Sequence, residues 1–498
     1  MGLSVRPTRR QLVFGSTLGA GVLLMAGLLL LVNYLAARHY ERWDWTASEL
    51  YTLSEKTGNI LADLDQEIDV VVFMDPQGDL FEAARELLQR YDAATPKIEL
   101  RFVDPVKNLA EAQQLVERYD IQRQNVVVFV GEEDRRIVDG TDLADYDFSG
   151  MQTGGGAEMT GFKGEQQFTQ AILELVEREK PHLVFTTGHG EASLDGMDAG
   201  GLSRLQEFLG QDNFEIDEWS SLGASAPPEG TDVILVAGPR AALTPPELEL
   251  FDRFLAAGGR MLVLTDPQLT AASELGDTPL VEWLAGYGIE LPTAIVVDPA
   301  RLLPFFGAET IFVDSYGAHP VTESLRQARL TTVFALARPV RGAADADPAP
   351  VELMRTSGEG WGETDLERLD AVEQGAHDVP GPVALGVAVE LPAADAPPPE
   401  GEEGAEEPAT AGRLVVFGDA DLATNAQLGT AGNATLMANT LNWLVERESH
   451  LGIAPKEPED IRLSLTPAER RLFAWMVVLG LPAACALVGI WVTLQRRR

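Results

Sequence analysis

Thiol chemistry is almost missing from this sequence. Its 498 residues include one cysteine, Cys485, inside an apolar run near the C-terminus. The rest of the chain therefore has no internal disulfide, no cysteine nucleophile and no thiolate metal site. The lack of thiols fits an oxidising compartment. Basic charge is scarce as well: 38 lysines and arginines face 77 acidic residues, for a formal net charge of −39. A nucleic-acid binder needs a basic footprint that this composition does not supply. The acidic bulk is also not expected to lie flat on anionic lipid. A phosphate-binding loop is absent too. Gly156 and Gly161 have the right spacing, but Phe162 stands where the P-loop lysine belongs and Lys163 is followed by Gly164. Any ATP hydrolysis must come from another chain, and the glycine-rich stretch reads as a turn leading into a helix.

Two long uncharged runs, Leu12–Ala37 and Leu472–Leu494, lie near the two ends. About 20 apolar residues suffice for a helix to cross a bilayer. Arg6, Arg9 and Arg10 precede the first run, and Arg496, Arg497 and Arg498 follow the second. Arginines placed this way favour the cytoplasmic side. Residues 1–11 and 495–498 are thus expected in the cytoplasm, with everything between the spans outside. A cleaved signal peptide carries a shorter apolar region and a small-residue cleavage site. Tyr34-Leu35-Ala36-Ala37-Arg38 is a poor site, so the first run reads as an uncleaved anchor.

Between the runs, short apolar stretches alternate with amphipathic ones, as in layered α/β domains. Thr52 and Glu55 have capping-box spacing, which predicts a helix running to about Leu64. Strands are predicted at Ile68–Met74, Ile98–Val103 and Val126–Val130, and helices at Leu80–Tyr91 and Leu109–Tyr119. Residues 48–145 read as a first domain and 146–446 as a second. The second holds a helix at Glu165–Glu179 and strands at His182–Thr187, Val233–Ala237 and Met261–Leu264. Thr244-Pro245-Pro246-Glu247 is a strong helix start. This pattern predicts a parallel sheet covered on both faces. Two later strands, Val383–Val389 and Leu414–Phe417, flank residues 393–411, which are rich in proline, alanine and glutamate and are expected to be disordered. A helix follows at Thr435–Glu446, and residues 447–470 read as a tether to the membrane.

Several landmarks occur in a telling order. DWT (44–46) precedes YTLSEKT (51–57), and GFKGEQQFTQAILEL (161–175) precedes TTGHGE (186–191). GDADLATN (418–425) and GNATLMANTLNWL (432–444) then lead to the second apolar run. In this order the chain resembles the gliding-motility-associated, GldG-like auxiliary components of ABC transporters. The resemblance implies a thioredoxin-like first domain and a second domain related in fold to class I glutamine amidotransferases, which is a flavodoxin-like parallel-sheet architecture. It implies two spans in the bacterial inner membrane and partnership with an ABC ATPase subunit and a multi-span permease. It implies neither gliding as a function nor a cofactor. Amidotransferase chemistry needs a cysteine nucleophile, and Cys485 lies in the second apolar run. The first domain has no Cys-x-x-Cys either.

The polar residues that chemistry could use sit at predicted strand ends: His189 and Glu191, Asp266, and Asp419 and Asp421, with Asn425 and Asn433 following. In parallel α/β sheets, ligands bind outside the carboxyl ends of strands. One reading is an imidazole–carboxylate cleft that binds a metal or activates water. The other is that these residues shape turns, cap helices or contact a partner, with a noncatalytic ligand-binding cleft as an intermediate reading. The second leads to a noncatalytic subunit whose outer domains bind a partner or cargo. The first leads to a membrane-tethered envelope hydrolase, and an envelope scaffold is a third option. His39, His182, His319, His377 and His450 have no ligand partner at useful spacing and read as structural or solvated.

Overall fold

Period-two alternation in the run Val70-Val71-Val72-Phe73 sets the first layer. The computed structural model describes Met25 and residues 52–452, except 105, 106, 108, 120, 122, 133, 148–157, 178, 179, 268–278, 302–306, 308, 366–373, 393–411, 448 and 449. Both apolar runs, Cys485, Gly154–Gly156, the 393–411 stretch and most of the tether lie outside the described residues. Among the described residues, no helix is long and apolar enough to cross a membrane.

Strand β1 (Ile68–Phe73) sends Val70 and Val72 into one core and Val71 and Phe73 into another. It pairs in parallel with β2 (Ile98–Val103) and antiparallel with β3 (Val126–Val130). Strand β4 (Arg135–Asp139) runs antiparallel to β3, and the sheet order is β2-β1-β3-β4. Helix α1 (Glu55–Ala62) and α2 (Phe81–Ala94) cover one face, while α3 (Leu109–Tyr119) covers the other. The cap of α1 is Ser54, whose side chain accepts from Thr57 N, and not Thr52. A short antiparallel pair, β5 (Ala144–Asp147) and β6 (Glu158–Phe162), leads into α4 (Gly164–Val176).

Helix α4 packs on the first sheet. Its Phe168, Ala171, Ile172 and Leu173 share a core with Val70, Leu88 and Phe129. The first layered unit thus extends to about residue 176, whereas the sequence pattern places this helix in the 146–446 domain.

The second sheet has eight strands in the order β14-β17-β19-β20-β10-β9-β7-β8. Five are parallel: β7 (His182–Thr187), β8 (Glu215–Ser220), β9 (Thr231–Ala237), β10 (Arg260–Leu264) and β20 (Gly412–Phe417). Alternate residues of β9 face opposite cores, Val233 and Leu235 on one side and Ile234 and Val236 on the other. Helices α5 (Ser203–Gln211), α8 (Pro320–Ala328) and α9 (Asn433–Leu444) cover the first side. Helices α6 (Pro245–Ala256) and α7 (Pro279–Ala285) cover the second.

The expected all-parallel sheet is corrected at one edge. Strand β19 (Ala384–Leu391) pairs antiparallel with β20, β17 (Val351–Arg355) with β19, and β14 (Ser315–Tyr316) with β17. Antiparallel neighbours need no crossover helix, so this edge lacks the strand–helix alternation that marks the parallel part. Leu391 pairs with Gly412, so the 393–411 stretch joins two neighbouring strands of one sheet. Three small antiparallel pairs surround the edge. They join β11 (Ile289–Glu290) to β16 (Arg341–Gly342), β12 (Ile295–Val297) to β18 (Trp361–Glu363), and β13 (Thr310–Val313) to β15 (Thr332–Ala335).

Buried charge holds the two layered units together. Lys56 of α1 donates to Asp212 at the end of α5, and both residues are buried. The second Asp212 oxygen accepts from Asn442 Nδ2 at 3.2 Å. Burial alone would raise the Asp212 carboxyl, but the charge and bond of Lys56 hold it below its ordinary value. Arg447 donates to Glu177 Oε2 at 2.5 Å and to Asp212 O at 3.0 Å, and lies over the Phe214 ring. His450 Nε2 is 3.1 Å from Glu177 Oε1. Leu451 O accepts from Asn59 Nδ2, and Gly452 N donates to Asn439 Oδ1. The described residues at the start of the expected tether are therefore packed across the seam, and His450 is buried there.

Candidate functional site

The parallel strands deliver the singled-out residues to their carboxyl ends, in two groups. Strand β7 ends in Gly188-His189-Gly190. Gly188 and Gly190 have φ of +116° and +82°, a conformation that a side chain resists. This turn seats the loop against the end of β9, where His189 O accepts from Arg240 N and Ala241 N at 2.8 Å each. It also aims the imidazole inward. Nδ1 lies 3.4 Å from Glu191 Oε1 and Nε2 lies 3.2 Å from Glu247 Oε2, with His189 3% exposed and both glutamate side chains 2%.

Glu247 is the third position of the helix start visible in the sequence. Its Oε2 accepts from Thr244 N at 2.9 Å and Thr244 Oγ1 at 2.7 Å, while Oε1 accepts from Ser221 Oγ at 2.5 Å. Burial pushes its carboxyl up, but the bonds from Ser221 and Thr244 and the charge of His189 bring it below its ordinary value. Glu191 Oε2 accepts from His189 N at 2.7 Å. The imidazole is thus enclosed between two carboxylates and closed off from solvent.

The second group gathers at the ends of β10 and β20. Asp419 is buried; its Oδ2 accepts from Ala335 N at 2.6 Å and its Oδ1 from Asp421 N at 2.8 Å. Burial first, then the charges of Asp266 and Asp421, hold its carboxyl well above the ordinary range. Asp266 Oδ1 accepts from Ala420 N at 2.6 Å, and burial raises this carboxyl too. Burial also raises Asp421, against the pull of Arg240. Arg240 lies between the groups: an added Cβ on Gly190 would meet its side chain, and its charge acts on Asp266 and Asp421.

Asn425 and Asn433 do not join either group. Asn425 Nδ2 donates to Gly196 O and Asp198 O, and its Oδ1 accepts from Arg204 N. Asn433 Oδ1 accepts from Val333 N, and Nδ2 donates to Val333 O and Gln427 O, so the residue pins β15 to the start of α9. His319 caps α8 through Nδ1 and packs on Trp443; burial lowers it to about 4. Among the described residues, no group of three or more His, Cys, Asp or Glu is placed to hold a metal ion. Sequence reasoning missed Glu247 as a partner of His189, and Arg240 between the groups. The capping box did mark Glu247 as special, whereas nothing in the sequence marks Arg240.

The described fold is a mixed-sheet α/β protein in which Asp266, Asp419, Asn425 and Asn433 are held by internal hydrogen bonds, whereas both ring nitrogens of His189 are buried without one. Residues 180–446 match the family described as an ABC-type uncharacterized transport system, and the chain belongs to that auxiliary family. Residues 47–139 match a domain family of unknown function, DUF7088. No curated protein matches the chain. Among solved structures it is similar to the mmIFT52 N-terminal domain, at 19% identity and a TM-score of 0.38, over 53% of this chain and 96% of that one. It is also similar to a ThuA-like protein from Bacteroides uniformis, at 14% identity and a TM-score of 0.30, over 54% of this chain and 94% of that one.

Proposed function

We propose that the protein is a noncatalytic auxiliary subunit of an ABC transport complex, held in the bacterial inner membrane by residues 12–37 and 472–494. Its folded bulk lies outside the cytoplasm and binds a partner or cargo, while a separate ABC ATPase subunit and a multi-span permease supply energy and pathway. Membership of the auxiliary family supports the transport association. The order of motifs supports the GldG-like branch. The sheet order β2-β1-β3-β4, with β3 opposed to β1, supports a thioredoxin-like first unit, and the five parallel strands support an amidotransferase-like second one.

One observation carries the noncatalytic reading: His189, the best candidate for a base, is shut between Glu191 and Glu247. A general base must reach the proton it abstracts. Alanine at His189 and at Asp421 tests this. The noncatalytic reading expects the folded fraction of each variant to retain both complex assembly and transport. Assembly retained with transport lost would favour a hydrolase. Fusing alkaline phosphatase near residue 300 tests the topology: an active fusion supports an outer location, and an inactive one, with a cytosolic reporter active at the same point, contradicts it.

A further inference from the structure

The apolar cores stop at the seam between the two layered units. Residues 53–176 form two apolar clusters and residues 183–451 another two. The bonds across the seam join polar groups: Lys56 to Asp212, Gln166 to Gln211, and Asn213, Arg447 and His450 to Glu177. A cleft of about 680 Å³ separates parts of α4 and α5 there. Units joined within one chain move relative to each other by default unless their interface is large and apolar.

Three buried side-chain atoms at the seam have no hydrogen-bond partner in the protein: Asn213 Oδ1, Asn442 Oδ1 and His450 Nδ1. Buried polar atoms ordinarily have one, so the shut seam leaves unmade some bonds that solvent would supply to a parted one. A strap of Arg447 and residues 450–452 crosses this seam. Arg447 reaches Glu177 at the end of α4 and Asp212 O at the end of α5. Leu451 O accepts from Asn59 of α1, and Gly452 N donates to Asn439 Oδ1 of α9. A Cβ added to Gly452 would lie 2.9 Å from Lys56 N and 3.3 Å from Glu55 C. The chain therefore enters the first unit and leaves the second at one point, on the strap.

We propose that the seam is a hinge and that the strap is the clasp that keeps it shut. With the clasp in place, α4 and α5 are held together through Glu177, Arg447 and Asp212. With the clasp displaced, the two units part as rigid bodies, each keeping its own apolar cores. Residues 38–51 and 453–471 connect this point to the two apolar runs in the sequence, so a pull on either segment reaches the clasp before it reaches a core. The hinge stands whether or not the transporter reading holds.

The test is a distance measurement by pulsed electron paramagnetic resonance on the full chain in detergent. Spin labels are attached through Asp92→Cys in α2 and Glu249→Cys in α6, both exposed positions, with Cys485→Ser removing the other thiol. The labelled chain should show one main distance. Arg447→Gln and Gly452→Val should each add a second, longer distance, while hydrogen exchange in β1 and β9 stays as slow as before. A variant without the added distance would overturn the proposal. So would an added distance accompanied by faster exchange in β1 or β9, because that is the unfolding of a unit and not the opening of a hinge. The transporter reading is judged separately, by co-purification.

Discussion

Lys56 and Asp212 lie 156 positions apart and form a buried ion pair across the seam of two layered α/β units. Removing one member strands the other without compensation, which typically costs about 3–5 kcal/mol. Lys56→Met is therefore expected to lower the unfolding midpoint clearly. Lys56→Met combined with Asp212→Leu should recover much of the loss. Urea titration of the single and double variants measures both.

The same pair sets a pH dependence. The Asp212 carboxyl is held below its ordinary value of 3.8, and Glu177 below its ordinary 4.5. A carboxylate depressed in the folded state contributes stability above its unfolded value and loses it as pH falls through the folded one. Acid unfolding should therefore steepen below about pH 4.5, and Asp212→Asn should make it shallower. Thermal scans between about pH 3 and pH 7 read this directly.

Asp419 runs in the opposite sense. Its carboxyl is held well above 3.8 by burial and by Asp266 and Asp421. The folded state thus binds the proton more tightly, and stability falls as pH rises from about 4 through the raised value. Asp419→Asn should flatten that fall. It should also cost about 1–3 kcal/mol, because one of the two backbone donors, Ala335 N or Asp421 N, then meets an amide NH₂. The slope of stability against pH separates the two effects.

His189→Ala leaves Glu191 and Glu247 facing each other without the imidazole, both almost fully buried. A loss of about 3–5 kcal/mol is expected. Circular dichroism melts should show it, while any variant that stays folded still joins the complex.

Gly452→Val tests the strap across the seam. Gly452 has φ of +149°, and a Cβ there would sit 2.9 Å from Lys56 N. The substitution should detach the strap and speed hydrogen exchange in α1 and around Asn439. Unchanged exchange at both places would mean that the strap holds nothing.

Much of the fold is legible in the sequence where local pattern and packing agree. The runs at His182–Thr187, Val233–Ala237 and Met261–Leu264 become central strands because they are apolar on both faces. Thr244-Pro245-Pro246-Glu247 starts a helix through the expected bonds. Strand β4, Arg-Arg-Ile-Val-Asp, is invisible because it lies at the sheet edge and is largely solvated. Helix α4 has a clear amphipathic pattern, but a pattern does not say which of two sheets it will cover. The strand-end positions of His189, Asp266 and Asp419 were readable. The seam was not, because Lys56, Glu177, Asp212 and Arg447 meet only after both units have folded.

The central claim is that this chain works as a subunit of an ABC transport complex. Mild detergent extraction of native membranes, capture through a tag on this chain and identification of the bound proteins test it most directly. The account predicts recovery of a P-loop ATPase and a multi-span permease in stable proportion. Recovery of the chain alone, from membranes in which both proteins are present, would contradict it.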